Sequence, residues 1–138
     1  MEKYIVNSYL KDGTIQVDTK IGDHKLISDE RMAEGGQNAG PDPVEYLATA
    51  VNSCIAISAG ALAKANTQTI TDFHVENHVE LKPIVHTKRN VVSKMTIKVS
   101  FEGNIPQSEK EEFLRHALHV STVYNTLAKV VEMDVKLG

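Results

Sequence analysis

Cys54 is the single cysteine of this chain, and it lies within the most apolar segment of the sequence. One thiol cannot close an intramolecular disulfide, so redox chemistry at this residue is either one-cysteine chemistry or borrows a partner thiol. A lone cysteine also serves as a small buried hydrophobe, and both readings stand on the residue alone. Reactivity requires positive charge near the sulfur, from a helix N-terminus or a cationic side chain. Cys54 falls about three turns into the helix expected around it, beyond the reach of the helix dipole, so the cation has to be a side chain, an arginine first of all. The histidines offer less. His74 and His78 are four apart on the outward face of an expected strand, too widely spaced to chelate one ion, and no second cluster completes a metal site. His116 and His119 sit near a helix break and could line a cleft. Gly35-Gly36 is not held between a strand and a helix, so no nucleotide fingerprint is formed, and no nucleophile elbow is present. No cofactor or metal is expected.

The elements that must position Cys54 are well punctuated. Lys3 to Leu10, Thr14 to Asp18 and His24 to Ser28 read as short strands separated by turns at Lys11-Asp12-Gly13 and Gly22-Asp23. Residues 29–42 form a polar, glycine-rich loop. Asp42, Pro43 and Glu45 then give the N-cap, first-turn proline and third-position glutamate of a capping box. The helix that follows is apolar around nearly its whole circumference, which predicts cover on most sides and hence a dimer interface. Asp72 to Lys82 alternates with Phe73, Val75, Val79 and Leu81 inward. Lys94 to Glu102 alternates with Met95, Ile97, Val99 and Phe101 inward, and pairing the two would set Lys94 and Lys98 against Glu76 and Glu80. A helix from Gln107, with a second capping box at Ser108 and Glu111, carries Phe113, Leu114, Ala117 and Leu118. A break at Val120-Ser121 leads to another helix with Val123, Leu127 and Val130, and Val131 to Leu137 alternates as a last strand. The order βββ-α-ββ-αα-β predicts an α+β fold in a single domain, 1–138, with a long central apolar helix packed on an antiparallel sheet.

Bulk properties narrow the function. The formal charge is −3, with 41% hydrophobic and 24% charged residues. That balance argues against nucleic acid or a membrane surface as partner. The amino terminus shows no basic stretch followed by an apolar core, which favours a cytoplasmic protein. The apolar run from Ala48 to Ala63 is interrupted by Thr49, Asn52, Ser53 and Ser58 and reads as a buried helix rather than a membrane span.

Gly35-Gly36, the run Gly40-Pro41-Asp42-Pro43, Glu45 and Cys54, eleven residues after that second proline, resemble the signature of the OsmC/Ohr superfamily. These are the osmotically inducible protein C and organic hydroperoxide resistance proteins. The segment from His119 through Ser121 and Val123 to Leu127 resembles the family's second-cysteine segment. The resemblance implies an intertwined homodimer with sites at its interface. It implies a first cysteine that attacks an organic hydroperoxide, a second that resolves the sulfenic acid, and an arginine and a glutamate that activate the first. Cys54 matches the first cysteine; Ser121 stands where the second would be. The position directly after the proline, where the peroxidases have their glutamate, is Val44, and Glu45 points about 100° away around the helix. No arginine lies in the first strands; Arg31 is the nearest substitute, with Lys11 and Lys20 as weaker ones. The expectation is a one-cysteine, thiol-dependent hydroperoxide reductase acting through Cys54, with Arg31 and Glu45 in support and an external thiol as reductant. The alternative is a non-catalytic dimer of the same fold that binds a small apolar ligand.

Overall fold

The computed structural model describes residues 3–138; Met1 and Glu2, part of the terminus read as carrying no secretory signal, lie outside the described residues. The chain forms two compact units, one up to Leu47 and one from Ala48 to Gly138.

In the first unit, β1 (Asn7–Leu10), β2 (Val17–Ile21) and β3 (His24–Ser28) make an antiparallel meander in the order β1-β2-β3. The third strand has the bounds read from sequence, but the second starts later than Thr14. The reason is local. Thr14 donates its hydroxyl to the Lys11 carbonyl at 2.8 Å and accepts from the Gln16 amide at 3.0 Å, so residues 14–16 belong to the turn. Gly13 occupies that turn at φ 75°, a region glycine enters without steric cost. The ladder with β2 begins at Asn7↔Lys20, so Lys3 to Val6 stay outside the strand.

Helix α1 (Pro43–Ala65) begins in the first unit and runs on into the second. Its capping box is made in both directions: the Glu45 amide donates to Asp42 Oδ1 at 2.8 Å and the Asp42 amide to Glu45 Oε1 at 3.0 Å. Val51, Ile55, Ala59 and Ala63 recur every four residues and are all buried. Cover on most sides is not what the chain provides by itself, since Ile57, on another face, is 72% exposed. By length and composition α1 could cross a bilayer; its Val51–Ala63 stripe is instead part of the core of the second unit.

The second unit is built on β4 (Ile70–Pro83) and β5 (Asn90–Gly103), a long antiparallel hairpin. The register places Glu76 opposite Lys98 and Glu80 opposite Lys94, as the charge pattern predicts. Met95, Ile97, Val99 and Phe101 face inward and are buried. The Asn77 amide donates to Asn52 of α1 at 3.1 Å and reaches Met95 Sδ at 3.6 Å, which fixes the helix against this sheet. Phe73, Phe101 and Phe113 form a chain of rings with centroids 5.4 and 5.5 Å apart. Lys110 covers the Phe101 ring at 5.0 Å and donates to the Phe101 carbonyl at 2.6 Å, so its stem is packed while its ammonium is satisfied.

Two further details of this unit differ from the sequence reading. The final strand, β6 (Glu132–Leu137), runs parallel to β5, so the order β4-β5-β6 is a mixed sheet. Its direction follows from the two helices that intervene, α2 (Lys110–His119) and α3 (Thr122–Leu127), which carry the chain back to the start of β5. The second capping box is not formed. Ser108 lies within a single 3-10 turn, Gln107–Glu109, and α2 starts behind it without a side-chain cap.

The core stripe of α1 gives a direct test. Ile55→Ala removes a fully buried side chain and is expected to cost about 2–5 kcal/mol, read as a lower urea midpoint at unchanged m.

Candidate functional site

The loop 29–42 that leads into α1 is organised by one carboxylate. Asp29 is buried. Its Oδ2 accepts from the amides of Gln37 and Ala39, both at 3.1 Å, and from the Gln16 carboxamide at 3.5 Å; its Oδ1 accepts from the Glu30 amide at 2.7 Å. The Ala39 amide, with those of Glu30 and Gln37 and the Gln16 side chain, holds the Asp29 carboxyl below the usual carboxylate range against the opposing effect of burial. A side chain at Gly36 would collide with the Glu30 carbonyl and Asp29 Oδ1, and one at Gly40 with the Ile27 carbonyl. Both glycines therefore admit a close backbone approach. Tyr46, in the first turn of α1, donates its hydroxyl to the Ile27 carbonyl at 2.6 Å. Sequence reasoning singled out the glycines and missed Asp29, whose only outward signal is a carboxylate at the mouth of a loop rich in glycine and amides.

This loop carries Arg31. Its guanidinium lies 3.7 Å from the Glu45 carboxylate, and both side chains are half or more exposed. The structure thus brings two of the three expected site residues together. An ion pair this exposed contributes on the order of a few tenths of a kcal/mol, so its effect is to restrict Arg31 rather than to stabilise the fold. Glu45 serves the pair and the capping box at once.

Cys54 belongs to the second unit, as a free and half-buried thiol. Its helical turn is met by Ser121, the residue at the second-cysteine position. Ser121 is fully buried. Its Oγ lies 2.7 Å from the Ala117 carbonyl, 3.0 Å from Ser58 Oγ and 3.4 Å from the Cys54 carbonyl. Ser121 is the N-cap residue of α3, but its side chain turns back to α2 and α1 instead of capping. Asn125 is the residue that finishes α2, donating its carboxamide toward the carbonyls of Leu118, His119 and Ser121. Val44, one residue before Glu45, has no polar group to offer.

The histidines are spread apart. His74 and His78 are exposed on β4. His78 Nε2 sits 2.7 Å from Glu76, and this hydrogen bond and charge, with Lys98 and His74 further off, keep the Glu76 carboxyl low. His116 borders a cleft of about 190 Å³ with Leu62, Gln68 and Phe113. Among the described residues no group of three or more His, Cys, Asp or Glu side chains is placed to hold a metal.

The sequence profile described as OsmC-like protein matches residues 35–136, from the glycine pair into β6. The chain belongs to the OsmC-like protein family. Solved structures agree in fold. An OsmC-like protein from Mycoplasma pneumoniae superposes with a TM-score of 0.86 at 15% identity, covering 99% of this chain and 96% of that one. An organic hydroperoxide resistance protein OsmC from Legionella pneumophila gives 0.78 at 17% identity, covering 100% and 98%. The organic hydroperoxide resistance protein OhrB of Bacillus subtilis gives 0.73 at 15%, covering 99% and 98%. No curated protein matches the chain by sequence. At these identities the likeness is one of fold, and this OsmC-like chain has its own set of side chains around it.

The Asp29 arrangement has a pH signature. Its folded pKa is lowered, so its contribution to stability is complete above the ordinary carboxylate value of 3.8 and is lost as pH falls through the lowered folded value. Asp29→Asn sets an amide group against backbone N–H donors. The expected outcome is a lower melting temperature at neutral pH and a flatter acid limb in melts recorded from pH 6 to pH 2.

Proposed function

We propose that this OsmC-like protein is a one-cysteine, thiol-dependent organic hydroperoxide reductase of oxidative-stress defence, working as a homodimer in the cytoplasm. The observation that carries the reading is Cys54: a free, half-buried thiol on the long family helix, with the second-cysteine segment lodged against its own turn. The names of the Legionella and Bacillus structures support the substrate class. The exposed apolar side chains of the first unit, Ile5, Tyr9 and Leu10 among them, and exposed Ile57 of the second support a second copy as cover.

The chemistry balances with one protein thiol. The Cys54 thiolate attacks the outer oxygen of ROOH, the S–O bond forms, the O–O bond breaks, and the alkoxide leaves as ROH after taking a proton. An external thiol attacks the sulfenic sulfur, releasing water and leaving a mixed disulfide. A second external thiol then frees Cys54 and departs as the reductant's disulfide. In this reading Arg31 supplies positive charge to the thiolate and Glu45 restrains its guanidinium, a role that the 3.7 Å ion pair supports. Ser121 takes no electrons. Its hydroxyl is spent on Ala117 and Ser58, and this favours an external resolving thiol. The same observation is what the second reading, a binding module for a small apolar ligand, has in its favour.

Two experiments separate these. Reduced protein treated with cumene hydroperoxide and a 1,3-diketone trap is expected to carry one adduct, located at Cys54 by mass spectrometry. No adduct across a wide peroxide range sinks the reductase and leaves the binding module. Ser121→Cys is expected to lose both thiols in step with one equivalent of peroxide, forming a disulfide. Retention of both thiols would show that no sulfenic acid forms at Cys54 within reach of position 121.

A further inference from the structure

The net charge of −3 is divided unevenly along the chain. Residues 81–101 contain Lys82, Lys88, Arg89, Lys94 and Lys98 and no Asp or Glu, so this stretch carries +5 and the remainder −8. The structure sorts those five cations into two groups. Lys94 and Lys98 lie within the three-stranded part of the sheet, opposite Glu80 and Glu76, with Lys94 also 3.3 Å from Glu132. Lys82, Lys88 and Arg89 lie at the far end of the hairpin, and none of them makes an ion pair among the described residues.

The hairpin itself sets these three apart. Strand β6 accompanies β5 only from Lys94 to Val99, so residues 81–93 continue as a ribbon of two strands. A bulge marks the departure: Glu80 pairs with Lys94 and Leu81 with Val92, leaving Ser93 unpaired and donating to the Glu80 carbonyl at 3.1 Å. Leu81, expected inward from alternation, is 51% exposed. The tip is closed by the Ile84 amide on the Arg89 carbonyl at 2.8 Å and by Thr87, which donates to the Ile84 carbonyl and accepts from the Arg89 amide. On this built tip Val85 is 75% exposed and Val91 is exposed as well.

Exposed aliphatic side chains on the same hairpin end as three cations that make no ion pair among the described residues suit one kind of surface. Valine and leucine enter the boundary between headgroups and acyl chains, while lysine and arginine stems let their charges reach lipid phosphates. Nucleic acid is less well served, because no aromatic residue lies between Phe73 and Phe101 to stack on bases. We propose that the tip of the β4–β5 hairpin docks on an anionic lipid bilayer, with Val85 and Leu81 entering its surface and Lys82, Lys88 and Arg89 meeting its phosphates. The whole-chain charge, which argued against a membrane partner, averages this segment with an acidic remainder.

The test is co-sedimentation of the full chain with vesicles of phosphatidylcholine alone and of phosphatidylcholine with a quarter phosphatidylglycerol. Binding is expected to the second only and to weaken with added salt. Lys88→Glu with Arg89→Glu removes two attractive charges and is expected to weaken partitioning by at least about thirty-fold. Val85→Asp is expected to weaken it with all three cations in place. Both variants change exposed positions, and unchanged thermal melts verify that they fold. Equal binding to both vesicle types, or binding that neither variant alters, overturns the proposal. So does an absence of vesicle binding with a change of molar mass in light scattering of the charge variant, which would make the tip a contact between copies.

Discussion

Burial of one stripe of α1 is the constraint on which the second unit depends. Val51, Ile55, Ala59 and Ala63 come from a helix that is apolar nearly all round, and only this stripe is matched by the alternating face of β5. The Asn52–Asn77 hydrogen bond fixes the helix along its length as well as around its axis. Once α1 is set, the turn that carries Cys54 is set too, and the break between α2 and α3 finds its place by seating Ser121 on that turn.

The first unit depends on a different interaction. A sheet of three short strands with many exposed apolar side chains has little core, and its long loop would be slack without Asp29. The carboxylate gathers amides from both ends of a ten-residue stretch, Glu30 to Ala39, and the close-approach glycines let the backbone reach it. Arg31 stands on this gathered loop, so Asp29 fixes the backbone from which its side chain reaches Glu45.

What could be read from the sequence was what short-range physics decides. The α1 start was legible because Asp42, Pro43 and Glu45 act on each other within one turn. The Glu76–Lys98 and Glu80–Lys94 pairs were legible because strand alternation and charge agree. The Ser108–Glu111 box followed the same local rule and failed, since the chain after Pro106 closes a 3-10 turn through Glu109 before α2 begins. Leu81 was misplaced because it lies where the hairpin runs on as two strands, past the span of β5 that β6 pairs, and alternation does not report where that cover ends. The parallel course of β6 and the gathering role of Asp29 depend on partners tens of residues away or on backbone amides, neither of which periodicity reports. For the site, Cys54, Arg31 and Glu45 stood out by type and motif, and the contact between Arg31 and Glu45 emerged only with the folded loop.

The parallel β6 also sets an order of assembly. The β4–β5 hairpin closes on local contacts, on the microsecond scale typical of hairpins. Its second strand then waits with one edge bare, because β6 pairs Glu132 with Lys94 across 38 residues and can arrive only after α2 and α3 have turned the chain around. Through that interval Met95, Ile97 and Val99 sit on an uncovered edge strand, the kind of template that recruits other chains. Lys94 and Lys98, whose charges alternate with those apolar side chains, guard that edge during synthesis as well as completing a ladder in the finished sheet.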